Sequence, residues 1–212
     1  MLKAIIFDLD GVIVSTDNYH YRAWKMMADK EGIYFDREIN NRLRGVSRLE
    51  SLEIILECSP KNYSESEKQN LMEYKNQVYL NLLDELSEKD ILPGILDLLN
   101  FLKEKKYLMA IGSSSKNAKK ILKQIGLLNS FDAIVDGNDI DRSKPAPDVF
   151  LIAANKMNIE PSKCAVIEDA FAGIKAAKAA GMLAIAIHNA VKYQDADLFI
   201  EEPNDLIQYF NK

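Results

Sequence analysis

Cysteine is nearly absent. The 212-residue chain has two, Cys58 and Cys164, too few for a disulfide framework. Cys164 opens an apolar run and reads as a buried core thiol. A reducing, cytoplasmic setting fits that usage. Histidine is equally scarce, and without a Cys/His cluster zinc is disfavoured. No apolar stretch reaches membrane-spanning length, so no membrane partner is expected. Residues 4–9 are too short for a secretory core and run straight into acids. No Lys/Arg block stands out and the net charge is −5, so nucleic acid is not an expected partner either. Repeats, low-complexity tracts and coiled-coil heptads are missing, and a monomer is expected.

What is present is an ordinary globular balance, 48% hydrophobic and 28% charged, in a chain long enough to bury a substantial core. Short apolar runs at 108–111, 133–135, 165–167 and 184–187 read as parallel core strands, and 198–200 as a weak edge strand. Helical patterns at about 94–105, 117–125, 147–157 and 170–180 separate them. Such alternation predicts right-handed crossovers and a doubly wound α/β sheet. Residues from about 15 to 86 break the rhythm and read as amphipathic helices, for example 20–30, 48–57 and 66–83. This insertion follows the first strand directly, and Pro93-Gly94 marks the return to the core. The expected domains are therefore a catalytic core, 1–14 with 87–212, and a helical cap, 15–86. The cap reads as a lid that excludes water, or as a decoration with a packing role only.

Four segments carry polar chemistry at predicted strand ends. In the first, Asp8 and Asp10 leave an apolar run that ends at Gly11. Residues two apart on a strand share a side, so both carboxylates can face the crevice at the sheet's carboxyl edge. Two unpaired carboxylates there call for a cation, although turn-forming aspartates before a glycine are also common. The second, Gly112-Ser113-Ser114-Ser115-Lys116-Asn117, passes from strand to helix through small hydroxyl residues, which suits an anion site or plain N-capping. In the third, Pro145 and Pro147 hold Lys144 in a fixed turn, where it is a point charge for phosphate or a surface lysine. The fourth is Glu168-Asp169, read as a second acidic pair at a strand end or as a helix start that complements the dipole. Each bland alternative stands singly. All four in order, after separate strands, point to one sheet edge. Oxygen ligands from Asp8, Glu168 and Asp169 suit a hard cation, Mg²⁺ above all.

With these motifs the chain resembles the haloacid dehalogenase-type phosphotransferases, from end to end: Asp8-Leu9-Asp10-Gly11, Ser113, Lys144-Pro145, and Glu168-Asp169 with Gly173. The resemblance implies a Rossmann-like core with a helical cap inserted after the first strand. It implies that Asp8 is the phosphorus nucleophile and Asp10 the general acid and base. Mg²⁺ would be held by Asp8, Glu168, Asp169 and the backbone carbonyl of Asp10. Ser113 and Lys144 would hold the transferring phosphoryl group.

The cap residues are most similar to those of sugar-phosphate mutases in that superfamily. Thr16, His20 and Trp24 fall on one helical face, and the resemblance couples Thr16 and His20 to placement of the general acid. In Arg44-Gly45-Val46-Ser47-Arg48, the Arg48 fork would take the phosphate that is not transferred. Ser51 and Lys75 match sugar contacts, and Ser114, Ser115, Lys116 and Asn117 core-side contacts. A bisphosphate bound in two orientations needs two phosphate sites, whereas a phosphatase needs one. The implied reaction is a mutase interconverting β-D-glucose 1-phosphate and glucose 6-phosphate. A sugar-phosphate phosphatase, or a mutase for a related sugar or disaccharide phosphate, is the alternative. Ser15 and Arg44 depart from residues common among relatives, Asp and Lys respectively. A non-catalytic binding protein would have no need to keep both Asp8 and Asp10.

Overall fold

A computed structural model describes residues 2–43, 47–188 and 194–210. Among the described residues, six strands form one parallel sheet: β1 (Ala4–Phe7), β2 (Leu108–Gly112), β3 (Ala133–Val135), β4 (Cys164–Glu168), β5 (Leu183–Ile187) and β6 (Leu198–Ile200). The order is β3-β2-β1-β4-β5-β6, the doubly wound arrangement expected, with the weak run 198–200 at an edge. Every residue of β1 is fully buried. Helices on both faces leave a central parallel strand no wet side, and its sequence is accordingly a continuous apolar run.

Two compact units emerge, one of residues up to Ser15 together with those from Ser87 onward, the other Thr16–Leu86. The first holds the sheet with α5 (Ile95–Glu104), α6 (Ala118–Gln124), α7 (Asp148–Lys156), α8 (Phe171–Ala179) and α9 (Pro203–Phe210). Its core joins Ile6, Ala110 and Val166 from the strands to Val149, Phe150 and Ala153 of α7 and Ile174, Ala176 and Ala177 of α8. The alanines let helix backbones lie close to the sheet, which holds the strand ends rigidly. Cys164 lies in this core, and burial pushes its thiol up to about 11. Cys58 is exposed, and both cysteines are free.

The second unit contains α1 (Asp17–Glu31), α2 (Arg37–Asn41), α3 (Arg48–Leu56) and α4 (Glu65–Leu82). Capping boxes start α3 at Ser47 with Glu50, and α4 at Ser64 with Glu67. Trp24, Met27, Ala28, Phe35, Leu52, Ile55 and Leu71 form its own core.

Two helices escape sequence periodicity. α2 has five residues, too few to display a 3.6-residue period, and is started by Asp36 accepting from the Ile39 amide. α9 is only two turns long, opens on Pro203 and buries Leu206. Among the described residues no helix is long and apolar enough to cross a membrane.

Candidate active site

Strand register builds the site. Phe7 pairs with Ile111 on one side and with Ile167 on the other. The next residues, Asp8, Gly112 and Glu168, therefore stand level across three adjacent strands, with Ser113 and Asp169 one step further. The sheet changes its direction of growth between β1 and β4, and this switch point is where open α/β sheets leave a crevice at their carboxyl ends.

The structure corrects one step of the sequence argument. β1 ends at Phe7, so Asp8 and Asp10 do not share a strand. Asp8 is held by its amide donating to the Ile167 carbonyl at 3.0 Å. Asp10 lies in a tight turn, bridged to Val14. The turn forms because Gly11 adopts φ 88°, and a side chain there would also collide with the Asp169 carboxylate.

Carboxylate oxygens of Asp8, Glu168 and Asp169 lie within 4.8 Å of one another. Lys144 places its Nζ 2.5 Å from Asp8 Oδ1 and 2.5 Å from Glu168 Oε1. The Ala170 amide donates to the other Glu168 oxygen at 3.0 Å, and Gly173 leaves the space that this carboxylate fills. The Lys144-Pro145 peptide is cis.

The electrostatics are those of an incompletely neutralised acidic centre. Burial works to lower the Lys144 pKa, yet Asp8 and Glu168 together raise it above the ordinary lysine value. Burial pushes Glu168 up to about 7, Lys144 pulling down and Asp8 pushing up. Burial, then repulsion from Asp8, Glu168 and Asp10, pushes Asp169 up to about 8. One lysine does not balance three converging carboxylates. The donors are hard oxygens with no soft ligand among them, which suits a hard divalent cation.

The 113–117 turn stands beside this group. The Ser115 amide donates to Ser113 Oγ at 3.1 Å and the Asn117 amide to Ser115 Oγ at 3.2 Å. These side chains stabilise the turn itself and do not cap α6 from Asn117. Ser114 Oγ is buried without a hydrogen-bond partner. Two cavities of about 440 and 460 Å³ open at the other end of β2, the first lined by Lys3, Tyr107 and Leu108, the second by Leu99, Met109 and Asp132. Neither is lined by a member of the carboxylate group.

In the helical unit, Thr16 is buried just before α1 and its carbonyl accepts from the His20 amide at 3.0 Å. His20 stacks on Tyr79, ring centroids 4.1 Å apart, and its Nδ1 is 2.9 Å from Lys75 Nζ. Lys75 is 3% exposed, with Nζ 4.8 Å from the Trp24 ring centroid. Burial, then the Arg48 charge, lowers Lys75 to about 7. Burial, then Lys75 and Arg48, holds His20 well below the usual imidazole value. Ser47 and Ser51 are engaged locally: Ser47 caps α3, and Ser51 Oγ donates to the Ser47 carbonyl at 2.9 Å. Arg48 Nη2 donates to Asn76 Oδ1 at 2.9 Å; Asn76, next to Lys75, escaped sequence reasoning. Arg44, Gly45 and Val46 lie outside the described residues.

A parallel sheet that gathers Asp8, its paired lysine and two further acids at its switch point has an architecture suited to phosphoryl transfer. Residues 2–181 match the haloacid dehalogenase-like hydrolases, and the chain belongs to that family. It is 46% identical to a β-phosphoglucomutase from Bacillus subtilis over 97% of this chain and 92% of that protein. It is 32% identical to a phosphorylated carbohydrates phosphatase from Thermotoga maritima over 85% of this chain and 82% of that one. Among solved structures, a β-phosphoglucomutase from Clostridium difficile superposes with a TM-score of 0.86 at 42% identity, covering 100% of this chain and 96% of that one.

Proposed function

We propose that this chain interconverts β-D-glucose 1-phosphate and glucose 6-phosphate, as an isomerase acting through an aspartyl-phosphate and β-glucose 1,6-bisphosphate. The observation that carries this reading is the near-full-length identity to the Bacillus subtilis β-phosphoglucomutase. The strand-end geometry supports the chemistry. Asp8 attacks phosphorus and becomes the acyl phosphate, while Asp10 protonates the departing sugar oxygen. In the return step Asp10 takes the proton from the other sugar hydroxyl as that oxygen attacks the phosphorus on Asp8. One difficult transfer is thereby split in two. Lys144 and Ser113 hold the phosphoryl oxygens, so that positioning and charge neutralisation lower the barrier. Asp8, Glu168, Asp169 and the Asp10 carbonyl would hold Mg²⁺, which would supply further positive charge for the transfer. Ser114, Ser115, Lys116 and Asn117 in the first unit, and Thr16, His20, Trp24, Ser47, Ser51 and Lys75 in the second, are the residues proposed to bind substrate. The alternative is hydrolysis of a sugar phosphate, favoured by the likeness to the Thermotoga phosphatase.

The deciding experiment supplies Mg²⁺, β-glucose 1-phosphate and trace bisphosphate, and reads glucose 6-phosphate and free phosphate in parallel. Glucose 6-phosphate without matching phosphate release is expected; phosphate alone would mean a phosphatase. Arg48→Ala sharpens the comparison. A residue that binds the non-transferring phosphate matters only to a substrate that has one. Mutase kcat/KM is expected to fall about 100-fold, against little loss with an aryl phosphate. Equal losses would remove Arg48 from that role.

The acidic centre ties metal to stability. Glu168 and Asp169 titrate at about 7 and about 8 when folded, above ordinary carboxylates. The metal-free folded state therefore keeps protons that the unfolded chain has released, and its stability falls as pH rises from about 4 to 8. Mg²⁺ held by the same carboxylates would replace those protons. Its saturating addition is expected to raise Tm by roughly 5 °C or more at pH 8, and by clearly less at pH 5. Equal shifts at both pH values would exclude these carboxylates as the ligands.

A further inference from the structure

The 113–117 turn is fastened to the loop that follows β3 by bonds that the four motifs do not include. The Ser113 amide donates to the Val135 carbonyl at 3.0 Å, extending the β2–β3 ladder by one step. Beyond the ladder, the Gly137 amide donates to the Ser115 carbonyl at 3.1 Å. The Asn138 Nδ2 group donates to the Lys116 carbonyl at 3.0 Å and to Asp136 Oδ1 at 3.0 Å. Both amide protons of Asn138 are thus used, which fixes the way its side chain faces. The Asn138 backbone amide donates to the same Asp136 oxygen at 2.9 Å. Asp136 is 2% exposed, and its second oxygen lies 3.7 Å from Lys119 Nζ on the first turn of α6. Behind it, Asp139 Oδ2 accepts from the Asp136 amide at 2.9 Å and Asp139 Oδ1 from Lys156 at 3.2 Å. Gly137 lies so close to the Ser114 carbonyl that a Cβ would overlap it.

We propose that Asp136 and Asn138 are positioning residues for substrate binding, acting through the backbone of the 113–117 turn. Asp136 holds the Asn138 amide, Asn138 holds the Lys116 carbonyl, and Gly137 holds the Ser115 carbonyl. The side chains of Ser115, Lys116 and Asn117 are aimed by that backbone. A buried carboxylate costs free energy unless its hydrogen bonds are made, and the Asp136 side chain meets Asn138 of its own loop and Lys119 of α6. The Ser113 backbone, in contrast, is placed by the sheet ladder, and its Oγ meets the turn through the Ser115 amide. The Asp136 loop therefore governs how the sugar phosphate is gripped, separately from how Asp8 receives phosphoryl.

The inference rests on the proposed sugar-phosphate turnover, and the test separates the two. Asn138→Ala is expected to raise the KM for β-glucose 1-phosphate about tenfold, the loss of one oriented contact set. Its kcat, and the rate at which acetyl phosphate phosphorylates Asp8, should stay within about threefold of wild type. Asp136→Asn keeps the Oδ1 acceptor and should retain the wild-type KM, whereas Asp136→Ala should match Asn138→Ala. An unchanged KM in folded Asn138→Ala overturns the proposal, as does a parallel fall of kcat and acetyl phosphate reactivity. If Asn138→Ala fails to fold, the Asp136→Asn and Asp136→Ala pair decides by the same criterion. If wild type shows neither isomerisation nor hydrolysis, the proposed function fails by itself. The split is then read from dissociation constants, with glucose 6-phosphate weakened and inorganic phosphate unchanged.

Discussion

Replacing Asp8 with asparagine is expected to abolish turnover while the protein stays folded. The amide has almost the size of the carboxylate and keeps an oxygen for Lys144, now 2.5 Å from Asp8 Oδ1. The Asp8 backbone bond to Ile167 is indifferent to the side chain. What is lost is the anionic oxygen that would attack phosphorus, and no neighbour replaces it: Glu168 is tied to Lys144 and to the Ala170 amide. Removal of a covalent nucleophile costs on the order of 10⁴-fold or more in kcat. The check is the isomerase assay beside the intact mass after acetyl phosphate treatment, with a melting curve as control. A well-folded Asp8→Asn protein within tenfold of wild-type activity, or one still taking up phosphoryl, would end the nucleophile assignment.

Lys144→Met is expected to damage both stability and activity, in a way that pH and Mg²⁺ modulate. The lysine side chain is 9% exposed, between the Asp8 and Glu168 carboxylates. Methionine fills similar volume but leaves those charges facing each other. Breaking a buried ion pair from one side costs about 3–5 kcal/mol, which in a chain of this size is roughly 10 °C in Tm. Protons can substitute for the missing cation, because burial and the Asp8 charge already favour the protonated form of Glu168. The loss in chelator should therefore be larger at pH 8 than at pH 5, and Mg²⁺ should recover part of it. Turnover should not recover, because the phosphoryl oxygens lack their organic cation; a fall of about 10²–10³ in kcat is expected. A variant that melts with the wild type at pH 8 in chelator would show that the ion pair contributes nothing. Full activity with Mg²⁺ would remove Lys144 from the transfer step.

Several features were legible in the residues alone because they depend on near neighbours. Apolar runs of three or four residues, most of them followed by small or acidic ones, announced the core strands, since a strand covered on both faces has to be apolar throughout. The break in that rhythm at about residue 15, and its return at Pro93-Gly94, announced the inserted helices. The motif order, Asp8-Asp10, Ser113, Lys144, Glu168-Asp169, carried the family. Short elements were not legible: α2 and α9 are fixed by a cap and by packing of one or two side chains, which periodicity does not report. The strand argument for Asp10 failed for a related reason. Period-two alternation holds only while the chain stays extended, and the chain already bends at Leu9, before Gly11 completes the turn.

The sequence by itself thus determined the element order, the parallel sheet and the identity of the acids and the lysine at its edge. Tertiary structure alone decided which of them meet. Lys144 is 136 positions from Asp8 and bonds it directly. Lys75 is 55 positions from His20 and shares its Nδ1. Asn138 is 22 positions from Lys116 and holds its carbonyl. The division has one physical reason. Propensity, periodicity and turn chemistry are written within a few residues along the chain. Burial of a charge and the partner that offsets it are set by register between strands distant in sequence, and no local pattern encodes that.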